Sequence, residues 1–161
     1  MEKYNFRKYN SKFARYFELE KERLLNIVPN AKIEHIGSTA IPGLGGKGIL
    51  DILIGVNKKK IAYLKCSLMK NGYTYIESAG NRERLFFERN YGLIFKRRVH
   101  LHLTWLNSNT WKNSLRFRNK LISSRSLAKK YEDIKKKAKI LGLKGKHYRN
   151  YKRRFIEGVL K

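Results

Sequence analysis

The sequence predicts an α/β domain whose C-terminal third is helical. Three observations carry this. The run ILDILIGV, Ile49 to Val56, is continuously apolar and β-branched at strand length, the pattern of a strand buried on both faces. VHLHLTW, Val99 to Trp105, alternates at a period of two and reads as a strand with one polar face. The N-terminal segment and everything beyond Ser108 carry apolar residues at helical spacing instead.

In chain order, Phe6, Tyr9, Phe13, Tyr16, Phe17, Leu24 and Val28 recur near a period of 3.6 and predict an amphipathic helix that stops before Pro29-Asn30. Lys32–Ile36 alternates weakly as a short strand, and a glycine-rich loop leads into the Ile49–Val56 strand. KKKIAYLKCSLMKNG predicts a helix with Ile61, Leu64, Leu68 and Met69 inward and Asn71-Gly72 as its stop. YTYIES and RLFFER predict strands. In Val99–Trp105 the alternation puts His100, His102 and Thr104 on one face. Three helices follow, over roughly Ser108–Ile122, Ser124–Leu141 and Lys146–Leu160; in the last, Tyr148, Tyr151, Phe155 and Val159 face the core, or the Tyr and Arg interleaving of KHYRNYKRRF stacks bases and grips phosphates. Trp105 and Trp111 read as core residues. No linker or domain boundary interrupts the chain, so residues 1–161 are expected to form one domain.

A hydrophobic fraction of 42% and an aromatic fraction of 12% exclude a disordered tail. No run reaches the roughly eighteen apolar residues of a membrane span, so no membrane partner is expected. The N-terminal MEKYNFRKYN lacks the apolar stretch of a signal peptide, and Cys66 alone cannot form an intramolecular disulfide. A cytoplasmic location is the expectation. Thirty-eight Lys and Arg oppose twelve Asp and Glu, a net charge of +26. From Lys112 to Lys161 there are eighteen basic residues and three acids, against seven and four in the first thirty residues. Such self-repulsion is costly unless a polyanion offsets it, which points to RNA, another nucleic acid or a smaller phosphorylated partner. A lysine-rich solvated surface is the plainer alternative.

HIGSTAIPGLGGKGILD, His35 to Asp51, concentrates five of the twelve glycines. Backbone N–H groups of a glycine-rich turn can converge on an anion. Ser38 and Thr39 add hydroxyls, Lys47 adds a positive charge, and Asp51 stands in the strand directly after the loop. A carboxylate there must be hydrogen-bonded, paired or metal-bound. The spacing is neither a Walker loop nor a dinucleotide fingerprint. Asp51 capping nearby amides in a purely structural turn remains the alternative. YEDIK and YRNYK each place a tyrosine four residues before a lysine, Tyr131/Lys135 and Tyr148/Lys152, so each pair shares a helix face. Such a pair is either a lysine stem packed on a ring or half of a shared anion site.

HIGSTAIPGL, then Lys47, then ILDILIGV strongly resembles the GrpB family. HLHL (His100 to Leu103), LRFRNKL (Leu115 to Leu121) and the two Tyr-x-x-x-Lys pairs are similar to its later motifs, in order along nearly the whole chain. Gly48 departs from the pattern, where a proline is expected after the lysine. The resemblance implies the polymerase-β-type nucleotidyltransferase fold, a small mixed sheet with packed helices. Active members of that superfamily carry a Gly-Ser turn, an Asp-x-Asp pair on the next strand and a third acid on a later one. Asp51 matches the first acid, Leu53 stands where the second belongs, and His100 and His102 occupy the later strand. Asp51, His100 and His102 are therefore the expected catalytic group. They could hold one divalent metal, Mg, Mn or Zn, with Fe also compatible with imidazole and carboxylate. Alternatively the histidines hydrogen-bond Asp51 or a bound anion. The expected phosphate or nucleotide ligands are Gly37, Ser38, Thr39 and Lys47, with Arg118, Tyr131, Lys135, Tyr148 and Lys152 from the helices. Two functions fit: a nucleotidyltransferase of unknown acceptor, or a non-catalytic RNA- or nucleotide-binding module that lacks the second acid. The oligomeric state stays open.

Overall fold

A computed structural model describes residues 6–91 and 97–161. The first five residues of the segment read for a leader lie outside the described residues. A helix α1 (Lys12–Ile27) leads into strand β1 (Lys32–Ile36). Strand β2 (Leu50–Val56), helix α2 (Ile61–Lys70) and strands β3 (Thr74–Tyr75), β4 (Arg84–Tyr91) and β5 (Arg97–Trp105) follow. Helices α3 (Asn109–Ser123), α4 (Arg125–Ile140) and α5 (Gly145–Leu160) complete the C-terminal third. The five strands form one mixed sheet in the order β1-β2-β5-β4-β3, in which only β2 and β5 run parallel.

The period-two geometry of β2 divides its side chains between two layers. Leu50, Ile52, Ile54 and Val56 join Phe17 and Leu24 of α1, Leu64 and Leu68 of α2, and Val99, Leu101 and Leu103 of β5 in the main core. Asp51, Leu53 and Gly55 face the other way. There Leu53 is fully buried in a cluster with Ile36 and Trp111. Gly55 is a glycine because a Cβ would come within 2.5 Å of the Trp111 ring. Ser108 starts α3 by accepting a hydrogen bond from Trp111 N–H at 3.0 Å. A further cluster, Ile41, Leu44, Leu121, Ala128 and Tyr131, fastens the glycine-rich loop to the C-terminal helices.

Several element boundaries differ from the sequence expectation. Phe6 and Tyr9 precede α1. The N-terminal segment instead straps the loop, with Arg7 and Gly46 exchanging backbone hydrogen bonds of 2.7 and 2.9 Å. The Phe6 ring fills the space that a Cβ at Gly45 would need. YTYIES shortens to Thr74–Tyr75 before a 3-10 turn, while RLFFER lengthens to Tyr91. Met69 and Tyr151 face solvent at 49% and 39% exposure, because each lies at the edge of its helix's apolar arc. Trp105 is only half-buried, with the Lys58 ammonium 4.6 Å from its ring centroid.

Candidate functional site

Register brings the polar residues of three strands together on the sheet face under α4 and α5. Asp51 on β2 pairs with His100 on β5, and Glu88 on β4 pairs with His100 from the other side. His100 Nδ1 lies 3.2 Å from Asp51 Oδ1, and His102 Nε2 lies 3.5 Å from the same oxygen. His100 Nε2 is 3.3 Å from Glu88 Oε1. Burial alone would raise the Asp51 pKa, but the hydrogen bonds and charge of the two histidines outweigh it and hold the carboxyl well below the usual range. Burial pushes His102 below its ordinary value against the pull of Asp51. Phe86 meets both imidazoles edge-on, with ring centroids 4.9 and 5.2 Å away.

The turn before β2 is built around this carboxylate. Gly37 has φ 74° and ψ −173°, a backbone region open essentially to glycine alone. A Cβ there would lie 2.3 Å from Asp51 Oδ2. Thr39 looks away, donating to the Ile49 carbonyl at 3.1 Å and sharing a 2.9 Å hydrogen bond with His35 Nε2. His35 stacks on Phe17, and burial takes its pKa down to about 4.

Above Asp51 lies a cavity of about 390 Å³. Gly37, Ser38, Lys47, Asp51, His100, His102, Tyr131, Lys135, Tyr148 and Lys152 all line it. Of the residues expected there from sequence, Thr39 and Arg118 do not. Arg118 is committed to Glu34 at 2.7 Å and to the His35 carbonyl at 2.9 Å, bracing β1 against α3. Lys135 donates to the Gly45 carbonyl while Glu132 accepts from Gly45 N–H at 3.1 Å, so α4 grips the loop. The Lys47 and Lys152 ammonium groups lie 4.5 and 4.2 Å from the Tyr148 ring centroid. Burial, then repulsion from Lys152, brings Lys135 down to about 7. Burial, then repulsion from Lys47, brings Lys152 down to about 8.

Sequence reasoning missed Arg84, Phe86, Glu88, Arg98 and Arg149, which also line the cavity. The signal was available for the strand residues. Arg84, Phe86 and Glu88 alternate on β4, as Arg98, His100 and His102 do on β5, and the pairing of these strands puts both rows on one face. Burial, then the charge of Arg149, lowers the Arg84 pKa. The cavity wall thus carries six Lys and Arg side chains against two carboxylates, Asp51 and Glu88. Among the described residues, no three His, Cys, Asp or Glu side chains are arranged to hold a metal ion. As placed, His100 Nδ1 and His102 Nε2 both face Asp51 Oδ1, and His100 Nε2 faces Glu88.

Among the described residues no helix is long and apolar enough to cross a membrane. The Bacillus subtilis protein named UPF0157 protein YqkA is 35% identical over 131 residues, covering 80% of this chain and 37% of that protein. The chain thus spans little more than a third of that relative's length. The Glutamate-rich protein GrpB of Alkalihalophilus pseudofirmus is 28% identical over 158 residues, covering 94% of this chain and 91% of that one. The crystal structure of conserved protein GrpB from Enterococcus faecalis superposes with a TM-score of 0.77 at 28% identity, covering 97% of both chains. A Cid1 poly(U) polymerase structure with MgGTP bound superposes with a TM-score of 0.51 at 14% identity over 81% of this chain and 46% of that one, a likeness of fold. Residues 4–161 match the family described as GrpB protein, so this chain, with its nucleotidyltransferase-like fold, belongs to the GrpB family.

Proposed function

We propose that the cavity binds a nucleotide or a ligand of similar phosphate content. The observation that carries this reading is the charge of the wall: six Lys and Arg side chains against two carboxylates around about 390 Å³, a volume suited to a small molecule. Lysines held down to about 7 and about 8 by burial and by neighbouring positive groups are relieved when an anion enters beside them. Ser38 and Lys47 from the loop, and Lys152 and Arg149 from α5, would hold the phosphates. Isothermal titration with ATP, UTP and AMP, each in Mg²⁺ and in EDTA, tests it. Binding that weakens at least tenfold in Lys152→Met supports the reading. No nucleotide binding, or a variant that binds as the parent does, overturns it.

The placement of Asp51 favours a second step, nucleotidyl transfer to an acceptor still to be identified. Its carboxylate faces the cavity, ionised and oriented by two histidines. A carboxylate held that far down is a weak base, so its part would be to orient an acceptor hydroxyl. His102, whose Nε2 lies 3.5 Å from that carboxylate, would help to keep it oriented. Incubation with α-labelled nucleoside triphosphates and total RNA, with Mg²⁺ or Mn²⁺, separates transfer from binding alone. Label that moves to RNA or protein and is lost in Asp51→Asn establishes transfer. Nucleotide binding with no label moved leaves a binding module.

A further inference from the structure

The cavity accounts for little of the molecule's charge. Six basic and two acidic residues there leave +22 of the net +26 elsewhere, more than any bound nucleotide offsets. Helix α5 shows where part of that charge is organised. Its inner face sends Tyr148 and Lys152, four residues apart, into the cavity wall. Arg149 is exposed yet lines the same cavity, so it stands at the mouth. Lys146 and Arg153 flank Arg149 at spacings of three and four, both exposed, and carry the positive stripe about 10 Å along the helix surface at 1.5 Å per residue. The only acid on α5 is Glu157, near the far end. On the other flank of the outer face, beside the exposed Arg154, the exposed His147 precedes Tyr151 by four residues, and Tyr151 is 39% exposed.

We propose that the outer face of α5 is a track for a single-stranded nucleic acid whose end is delivered to the mouth of the cavity. The stripe supplies phosphate contacts, and Tyr151 with His147 supplies a platform for unpaired bases, the combination that single-strand binders use. A duplex keeps its bases stacked inside and has no use for such a platform. The delivery of the strand's end rests on the nucleotide reading of the cavity. The binding of the strand does not.

The test is fluorescence anisotropy of the full chain with labelled single-stranded RNA, single-stranded DNA and duplex DNA of equal length, over a range of salt. The variants are Lys146→Glu with Arg153→Glu, the neutral pair Lys146→Gln with Arg153→Gln, and Lys59→Glu with Lys60→Glu. The last pair is also exposed but lies beyond the opposite end of β2, about 20 Å from Asp51 at strand rise. The proposal expects single-strand affinity to fall at least tenfold in the α5 charge reversal and less in the neutral pair, with nucleotide titration unchanged in both. It expects the slope of log affinity against log salt to flatten by about 1.4 when two phosphate contacts are lost. Binding of RNA alone, or of RNA and single-stranded DNA alike, supports it, and the two arms name the polymer. It is overturned if neither single strand binds, if duplex binds as tightly, or if the Lys59/Lys60 reversal costs as much. Binding only to vesicles of anionic lipid also overturns it. If nucleotide titration fails while the α5 variants still set the RNA affinity, the track stands and the cavity reading falls.

Discussion

Replacing Gly37 by alanine tests whether the loop exists to seat Asp51. The new Cβ would lie 2.3 Å from Asp51 Oδ2, 2.8 Å from its Cβ and 2.9 Å from its Cγ. Rotating the carboxylate relieves only the first of these, because the stem belongs to a core strand fixed between β1 and β5. The backbone at φ 74° and ψ −173° adds a conformational cost of about 1–3 kcal/mol for any residue with a Cβ. Overpacking adds roughly 1–3 kcal/mol more. At about 2–4 °C per kcal/mol for a chain of this size, the melting temperature should fall by roughly 10 °C. Thermal unfolding of Gly37→Ala, Asp51→Gly and the double variant separates the two parts. In the Asp51→Gly background only the backbone cost remains, so the cycle should show a coupling of roughly 1–3 kcal/mol. If Gly37→Ala melts within about 2 °C of the parent, or if the two changes are additive, the loop is not built around the carboxylate and this reasoning fails.

Three further outcomes follow from the same geometry. Leu53→Asp, which restores the second acid of the superfamily pattern, should destabilise by about 3 kcal/mol or more, because it exchanges a fully buried leucine under Trp111 for an unpaired charge; denaturant titration reads it. Anion affinity in the cavity should be highest below pH 7 and fall as pH rises through about 7 to 9, with proton uptake on binding that shrinks in Lys152→Met; calorimetry in buffers of different ionisation enthalpy measures it. His35, with its folded pKa lowered to about 4, binds fewer protons folded than unfolded between about 4 and 6.5, so stability should drop as pH falls through that window, and less steeply in His35→Gln, as melts at stepped pH would show.

How much of this was legible in the sequence depends on the range of the interaction. The β2 strand, the alternation of β5 and the three C-terminal helices rest on local periodicity, and the structure has them. Asp51 with His100 and His102 was legible because two strands each placed polar residues on one face and only the parallel register of β2 and β5 had to bring them together. Glu88 needed one more pairing, that of β4 with β5, and a run read merely as a strand hid which of its residues would matter. Phe6 was misplaced for a related reason. Its spacing fits the helix that follows, but the glycines at 45 and 46 leave a surface on which the preceding segment packs better than a further turn of helix would. Arg118 was assigned to phosphate on its charge and its place in a motif, while the Glu34 carboxylate on β1, three residues before Gly37, had the prior claim.

Leu53 carries the deepest consequence. Absence of an acid at that position reads in the sequence as a deletion of chemistry. In the fold it is also a gain of structure, because Leu53 closes an apolar cluster with Ile36 and Trp111 that ties β1, β2 and α3 together. A site of two clustered acids needs cations to be stable, and a site with one needs fewer. Here four of the six cavity cations, Lys47, Lys135, Arg149 and Lys152, stand on the loop and the helices, and Arg84 and Arg98 stand on the sheet. The charge of the cavity wall is thereby inverted relative to an acid-rich centre, with positive groups outnumbering carboxylates. That inversion accounts together for the leucine, for the lysines held below their ordinary range and for histidines turned toward a single carboxylate. It also sets the order in which the functions should be tested, anion binding before transfer, since the first follows from charges in place and the second from one carboxylate acting without its partner.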